Sequence, residues 1–276
     1  MILNDLLLER QTEFKPASGQ EAFEKKWREN LVTFDSASLT QMATINLLRR
    51  TDTKFVFPLT YLPSLLDNLQ PLYRILEVDG VRLQQYQTVY FDTPDFQFYQ
   101  QHHNGRRDRF KLRVRTYLNS ELDYLEVKRK DSHDFTQKSR LKMELPINSQ
   151  SPEVRSFLRN SLPFNQVTLV PKLTNRFYRI SLISKSDWER LTLDLHLRFL
   201  SPSGEFSLPG IVVAEVKQPH FSVRSSFIQQ MRRSGYHPTR FSKYCIGVAL
   251  AYPYVKRNAF KPLLLDLQRL VLGGSR

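Results

Sequence analysis

In the stretch Arg109-Phe110-Lys111-Leu112-Arg113-Val114-Arg115 every second residue is basic and every residue between is apolar. A period of two marks an extended strand, whose side chains alternate between faces. Arg109, Lys111, Arg113 and Arg115 therefore share one face, and Phe110, Leu112 and Val114 the other. The next run, Tyr124 to Lys130, groups Glu126, Lys128 and Lys130 opposite Leu125 and Val127, and Asn119-Ser120 between the two runs predicts a hairpin turn. A third run, Lys138 to Leu145, groups Lys138, Arg140, Lys142 and Glu144. Arg190 to Arg198 alternates throughout, and Val213-Ala214-Glu215-Val216-Lys217 closes the series.

Elsewhere from Thr53 onward, short β-rich runs are separated by turn residues such as Asp79-Gly80, Asn104-Gly105 and Pro209-Gly210. Helical spacing interrupts them at Tyr61 to Leu69, at Pro152 to Asn160 with Ser151 as N-cap, at Ser222 to Ser234 and at Ser242 to Tyr252. Residues 1–50 are rich in helix formers and read as an N-terminal helical extension, with Met1 to Arg10 helical, a break at Pro16-Ser18-Gly19, and Phe14, Phe23, Trp27 and Leu31 as apolar anchors. The expected organisation is this extension, one β-dominated domain over 51–255, and a C-terminal tail or helix over 256–276.

Charge changes the picture. The 276 residues carry 41 Lys+Arg against 27 Asp+Glu, a net +14, which points to a polyanionic partner. A single solvated strand face is a common feature, but five strands that keep choosing Arg and Lys are not. If these faces point inward, the sheet closes on a charged lumen and its apolar outer face is covered by the helices. Two like charges ~7 Å apart at an effective dielectric of ~20 repel by roughly 2 kcal/mol, so such a lumen needs carboxylates, here Glu126, Glu144, Asp194 and Glu215, and a bound polyanion. Nucleic acid fits less well, because the cations alternate along strands and form no helix stripe with interleaved aromatics. Cys245 is the sole cysteine, which excludes an intrachain disulfide framework and makes a cytoplasmic location the expectation. The longest apolar stretch, Tyr244 to Val255, is too short to span a bilayer. No Gly-rich P-loop or HExxH is present.

Several short motifs now align with a known family. Arg50-Thr51-Asp52-Thr53-Lys54-Phe55-Val56-Phe57, Tyr90-Phe91-Asp92-Thr93, His103-Asn104-Gly105, the Lys111/Arg113/Arg115 strand, Glu126-Val127-Lys128, Glu215-Val216-Lys217 and Phe241-Ser242-Lys243-Tyr244 resemble, in order, the VTC domain of polyphosphate polymerases, within the triphosphate tunnel metalloenzymes and their CYTH-like relatives. The resemblance covers about residues 50–252. It implies an α+β fold, a closed antiparallel eight-stranded β-barrel tunnel with helices packed outside, which binds ATP, inorganic phosphate or polyphosphate together with Mn²⁺ or Mg²⁺. By resemblance, Lys54, Arg113, Arg115, Lys128, Arg176 and Arg190 are the basic phosphate ligands that support catalysis. Lys138 or Arg140 occupies the region of another, with Lys111 and Lys217 beside them. Ser242 and Lys243 match the family's serine-lysine pair, and Glu215 its metal-binding carboxylate. The family's tyrosine two residues before the arginine matched by Arg176 is replaced by Thr174.

The implied reaction is transfer of the ATP γ-phosphoryl group to a growing phosphate chain. The same residues serve hydrolysis of a triphosphate, or binding of polyphosphate without turnover. Single residues also have plainer readings: Glu215 as an ion-pair partner of Lys217, Ser242 as a helix cap, His102 and His103 as loop residues, His196 as a polar-face residue, Asp92 as a turn former and Cys245 as core.

Overall fold

A computed structural model describes residues 2–3, 20–44, 50–131, 136–145, 151–163 and 168–271. The strands are β1 (Ile2–Leu3), β2 (Ser36–Ala37), β3 (Thr51–Pro58), β4 (Tyr73–Leu76), β5 (Gln84–Asp92), β6 (Arg109–Tyr117), β7 (Leu122–Lys130), β8 (Thr136–Met143), β9 (Thr168–Ser184), β10 (Arg190–Ser201) and β11 (Gly204–Gln218). The α-helices are α1 (Gln20–Leu31), α2 (Leu39–Thr44), α3 (Leu62–Leu69), α4 (Gln97–His103), α5 (Pro152–Ser161), α6 (Ser226–Arg233), α7 (Lys243–Ala251) and α8 (Lys261–Val271).

The main sheet runs β3-β11-β10-β9-β5-β6-β7-β8, every neighbouring pair antiparallel. Among the described residues the end strands β3 and β8 do not pair. The sheet curls strongly all the same: Lys128 Nζ on β7 lies 3.7 Å from an Asp52 carboxylate oxygen on β3, six strands away along the path. The predicted hairpin is β6–β7, with Arg113 opposite Glu126 and Lys111 opposite Lys128.

Three apolar cores follow from the alternation. On the convex face, Phe55, Phe57, Leu191, Leu193, Leu195, Val212, Ala214 and Val216 pack against Trp27 and Leu31 of α1, the leucines of α3, and Phe227, Ile228 and Met231 of α6. Farther round the same face, Phe110, Leu112, Val114, Leu125 and Val127 pack against Val154 and Leu158 of α5 and Phe98 of α4. The third core lies on the concave face, where Val56, Tyr86, Tyr90, Leu173, Phe177, Phe199 and Val213 surround α7. The helix predicted at Ser242 to Tyr252 is therefore not packed outside. It packs inside the hollow against the apolar part of the concave face, and its Gly247 sits so close to β9 and β10 that a Cβ there would meet Leu173 Cδ2 at 2.3 Å and Phe199 Cδ1 at 2.8 Å.

Other expectations are revised. The helix expected at residues 1–10 enters the described structure only at Ile2–Leu3, a strand paired in parallel with Thr168–Leu169. Phe14, Pro16, Ser18 and Gly19 lie outside the described residues. His102 and His103 form the last turn of α4 instead of a loop, and the His102 imidazole, 3.1 Å from the Phe110 carbonyl oxygen, is kept neutral by burial. Asp92 does more than turn the chain: it accepts the amides of Thr93, Phe98 and Tyr99 at 2.7, 2.9 and 2.9 Å, and the Tyr244 hydroxyl, and so ties β5, α4 and α7 together. Glu144 is exposed, just beyond the end of β8.

Candidate functional site

Register places charged residues of seven strands on the concave face. Glu215 is opposite Lys54 and Thr192, Lys217 opposite Asp52 and Arg190, Asp194 opposite Arg179, and Arg113 opposite Tyr90 and Glu126. Four carboxylates each meet two cations, Asp52 taking Arg50 Nε at 2.9 Å with Lys128 Nζ 3.7 Å away. Glu126, 1% exposed, takes Arg113 Nε at 2.7 Å and Nη2 at 2.6 Å, and meets the Lys138 ammonium. Asp194, 3% exposed, takes Arg179 through two bonds of 2.6 and 2.8 Å and also Lys243. Glu215 meets Lys217, with Lys54 Nζ 3.7 Å away.

These pairs explain the protonation states. Burial alone would push Glu126 up, but Arg113, Arg115 and Lys138 hold it well below the usual carboxylate range. Asp194 is held down in the same way by Arg179 and Lys243, and Glu215 by Lys217, Lys54 and Lys128. The ammonium groups are pushed the other way. Burial, with the neighbouring cations Lys54, Lys128 and Arg113, brings Lys111 down to about 7, and burial brings Lys138 and Lys243 down to about 8 against the pull of their carboxylates. Lys111 and Arg115 form no ion pair among the described residues.

The buried side-chain atoms lacking a hydrogen-bond partner among the described residues are Thr88 Oγ1, Arg115 Nε, Asn175 Oδ1, Arg190 Nε, Thr192 Oγ1 and Glu126 Oε1, the last of which has the Lys138 ammonium as an ion-pair partner. By register all of them belong to concave-face residues. Buried polar atoms are ordinarily satisfied by protein or ordered water, so their concentration on one face leaves that face with hydrogen-bonding capacity for water or a polar ligand.

Of the residues singled out from sequence, Lys54, Lys111, Arg113, Arg115, Lys128, Lys138, Arg140, Arg190, Glu215 and Lys217 share this face, and Lys243 reaches it from α7. Arg140 is exposed on the end strand, its guanidinium carbon 5.0 Å from the Tyr124 ring centre. Arg190 Nη1 lies 3.4 Å from the Met42 carbonyl oxygen of α2. Ser242 caps α7 by accepting the Cys245 amide at 3.2 Å, while Lys54 Nζ donates to the Phe241 carbonyl at 2.9 Å, so the start of α7 is fastened to the charged surface.

Arg176 is the exception. It lies opposite Gln87 and Arg198 on the convex side, and its Nε donates to Gln87 Oε1 at 2.8 Å. Arg179, three residues later and so of opposite parity, takes the inward position. No sequence signal marks it, because β9 lacks the basic-apolar alternation of its neighbours. His196 is also displaced: it sits at a bulge in β10 with φ 51°, where its ring packs 4.9 Å from Phe23 on the convex side. The bulge breaks the alternation, so that Leu197 and Phe199 face α7 and Arg198 faces out.

Glu215, the carboxylate that the resemblance assigns to a divalent cation, has Lys217 on one oxygen and Lys54 Nζ 3.7 Å from the other. No group of three or more His, Cys, Asp or Glu side chains converges among the described residues. That arrangement fits Mg²⁺ or Mn²⁺ held by one carboxylate, water and the substrate's own phosphates, and does not fit a cage made by protein alone.

No helix among the described residues is long and apolar enough to cross a membrane. Among curated proteins none matches the chain significantly. Solved structures with partial likeness include the putative adenylyl cyclase HpAC1 from Hippeastrum, described as having a dominant triphosphatase activity, at 14% identity and a TM-score of 0.45, covering 73% of this chain and 96% of that one. A putative adenylate cyclase from Vibrio parahaemolyticus aligns at 13% identity and a TM-score of 0.38 over 71% and 97% of the two chains. The S. pombe RNA triphosphatase Pct1 aligns at 12% identity and a TM-score of 0.27 over 90% and 93%. The family model of the VTC domain matches residues 49–252. Spanning the whole curled sheet together with α7, that match settles the family: the chain belongs to the VTC domain proteins.

Proposed function

We propose that this protein is a polyphosphate polymerase, its curled sheet forming a tunnel around a phosphate chain. The carrying observation is that Arg113, Arg115, Arg179, Lys54, Lys111, Lys128 and Lys243 share one concave surface with the unpartnered polar atoms of Arg115, Arg190, Thr88 and Thr192. Phosphoryl transfer asks chiefly for positioning and for stabilisation of charge spread over phosphate oxygens. Arginine forks hold two oxygens at once and lysines act as point charges. The carboxylates Glu126 and Asp194 fix Arg113, Lys138, Arg179 and Lys243 before the substrate arrives, so little reorganisation accompanies the reaction. A divalent cation at Glu215, when bound, neutralises charge on the phosphate oxygens and the departing ADP.

Water as the attacking group turns the same surface into a triphosphatase. The exposure of Lys128 and Lys138, 41% and 37% of their side-chain surfaces, favours this second reading, since it gives water access to the phosphates.

Purified protein incubated with ATP and Mn²⁺ distinguishes the two: a ladder of phosphate polymers on a gel supports the polymerase, and orthophosphate alone supports the triphosphatase. Polyphosphate binding without turnover would leave a sensor. Glu215→Gln should abolish turnover and leave phosphate-chain binding within a fewfold of the parent; unchanged turnover would sink the metal role of Glu215.

A further inference from the structure

Charge is distributed unevenly along the chain. Val216 to Leu265 contains no Asp or Glu and carries nine Lys and Arg. Lys217 and Lys243 belong to the concave face; the other seven are exposed, and none forms an ion pair among the described residues. Three of the seven, Arg232, Arg233 and Arg240, lie at the two ends of the connection from α6 to α7.

That connection runs along the edge of β3 that no strand takes among the described residues. The Ser234 hydroxyl donates to the Tyr61 hydroxyl at 2.7 Å, the Tyr236 ring centre is 5.8 Å from that of Phe57, and the Thr239 amide donates to the Lys54 carbonyl at 2.8 Å. At its end the Phe241 carbonyl receives Lys54 Nζ, which lies 3.7 Å from Glu215. The exposed arginines therefore begin where the charged concave face ends. Arg240 is the residue before Phe241, and Arg232 and Arg233 stand at the far end, in the last turn of α6.

A helix C-terminus favours cations, which accounts in part for Arg232 and Arg233. It does not account for Arg240, which lies outside any helix, or for the missing carboxylates. Unpaired cations gathered along one edge attract a polyanion. Tyr236 is packed against Phe57 and Tyr61, so its phenol is not free to stack on a nucleobase. This chemistry suits a bare chain of phosphates, and the concave face beside Arg240 is where such a chain would emerge.

We propose that Arg232, Arg233 and Arg240 form an exterior track that holds a long polyphosphate chain outside the concave face, along the open edge of β3. The inference rests on the phosphate-binding reading of the concave face and adds a second contact region, which only a long chain reaches at the same time as the first. Two contacts on one chain act as a multivalent pair, so affinity rises with chain length beyond what the concave face supplies.

Affinities of tripolyphosphate and long-chain polyphosphate, measured over a range of salt, test the track. The variants are Arg232→Gln/Arg233→Gln/Arg240→Gln and a control that removes the same charge from the segment bonded to α4, Lys256→Gln/Arg257→Gln/Lys261→Gln. The edge variant should weaken long-chain binding about tenfold and lower the slope of log affinity against log salt by about two, because three cations no longer displace counterions. Its tripolyphosphate affinity should change by less than about twofold, and the control's long-chain affinity by less than about threefold, since exposed charges away from the bound chain are screened. Equal long-chain losses in the two variants, or an unchanged long-chain affinity in the edge variant, would overturn the track while leaving the phosphate site standing. A single-stranded oligonucleotide bound more tightly than polyphosphate by the parent, and lost in the edge variant, would assign the edge to nucleic acid instead. If the parent bound neither phosphate ligand, the phosphate-binding reading itself would fall, and the track with it.

Discussion

Glu126 lies directly across the β6–β7 ladder from Arg113 and receives both its Nε, at 2.7 Å, and its Nη2, at 2.6 Å, on one oxygen. The carboxylate is almost fully buried and also meets Lys138. Removing one partner of a buried ion pair leaves the other charge uncompensated, at a cost of about 3–5 kcal/mol. Glu126→Ala should therefore lower the melting temperature clearly. Inorganic polyphosphate should recover part of the loss, because it replaces the missing negative charge beside Arg113 and Lys138 and binds only the folded state. A melt indifferent to both changes would show that Glu126 does not organise these cations.

The lysines predict how binding depends on pH. Burial lowers Lys111 to about 7 and Lys138 and Lys243 to about 8, so part of this charge is lost in the free protein at neutral to mildly alkaline pH. A bound phosphate chain favours the ammonium forms and raises all three values. Binding is therefore linked to proton uptake, and affinity should fall as pH rises from about 7 to 9. Calorimetry with metal-free tripolyphosphate, in buffers of differing ionisation enthalpy, measures the protons taken up. Proton release, or affinity that rises with pH, would contradict the site.

Gly247 tests the place of α7 in the hollow of the sheet. A Cβ there would come within 2.3 Å of Leu173 Cδ2 and 2.8 Å of Phe199 Cδ1, so α7 or the two strands must shift. Overpacking of this kind typically costs about 1–3 kcal/mol. Gly247→Ala should be destabilised by that amount in urea unfolding, even though alanine is the better helix former by about 1 kcal/mol. A gain in stability would mean that α7 does not press on β9 and β10.

Much of this was legible in the chain because period-two alternation is a local signal. Arg109 to Arg115 and Tyr124 to Lys130 fix which residues share a face without any knowledge of the partner strand, and the structure pairs them as that alternation requires. What the pattern cannot carry is which side of a helix-rich element meets the sheet. The nearly uniform apolar sequence of α7 reads equally well as an outer helix or an inner plug, and only its packing against Tyr90, Leu173 and Phe199 decides. Long-range closures are hidden too: Asp92 reads as a turn because its partners Phe98, Tyr99 and Tyr244 come together only once α4 and α7 have docked. The bulge at His196 is a third case, since the sequence keeps alternating through a point where the backbone does not.

That bulge and the long strand beside it yield the sharpest prediction about the site. Arg176 and Arg179 are three residues apart on β9, so one faces out and the other in. Arg176 bonds Gln87 on the convex side, whereas Arg179 is clamped to Asp194 and lies 5.0 Å from the Tyr86 ring on the concave side. A hydrogen bond to a charged group contributes about 1.5–3 kcal/mol, so Arg179→Ala should weaken tripolyphosphate binding by roughly tenfold or more. Arg176→Ala should leave that affinity within about twofold, although it can cost stability through the loss of a buried side chain. Measured side by side with melting curves, the two variants separate inward from outward placement. If Arg176→Ala weakened binding and Arg179→Ala did not, the register of β9 against β5 and β10 would have to be reversed, and the resemblance-based assignment of Arg176 would take its place.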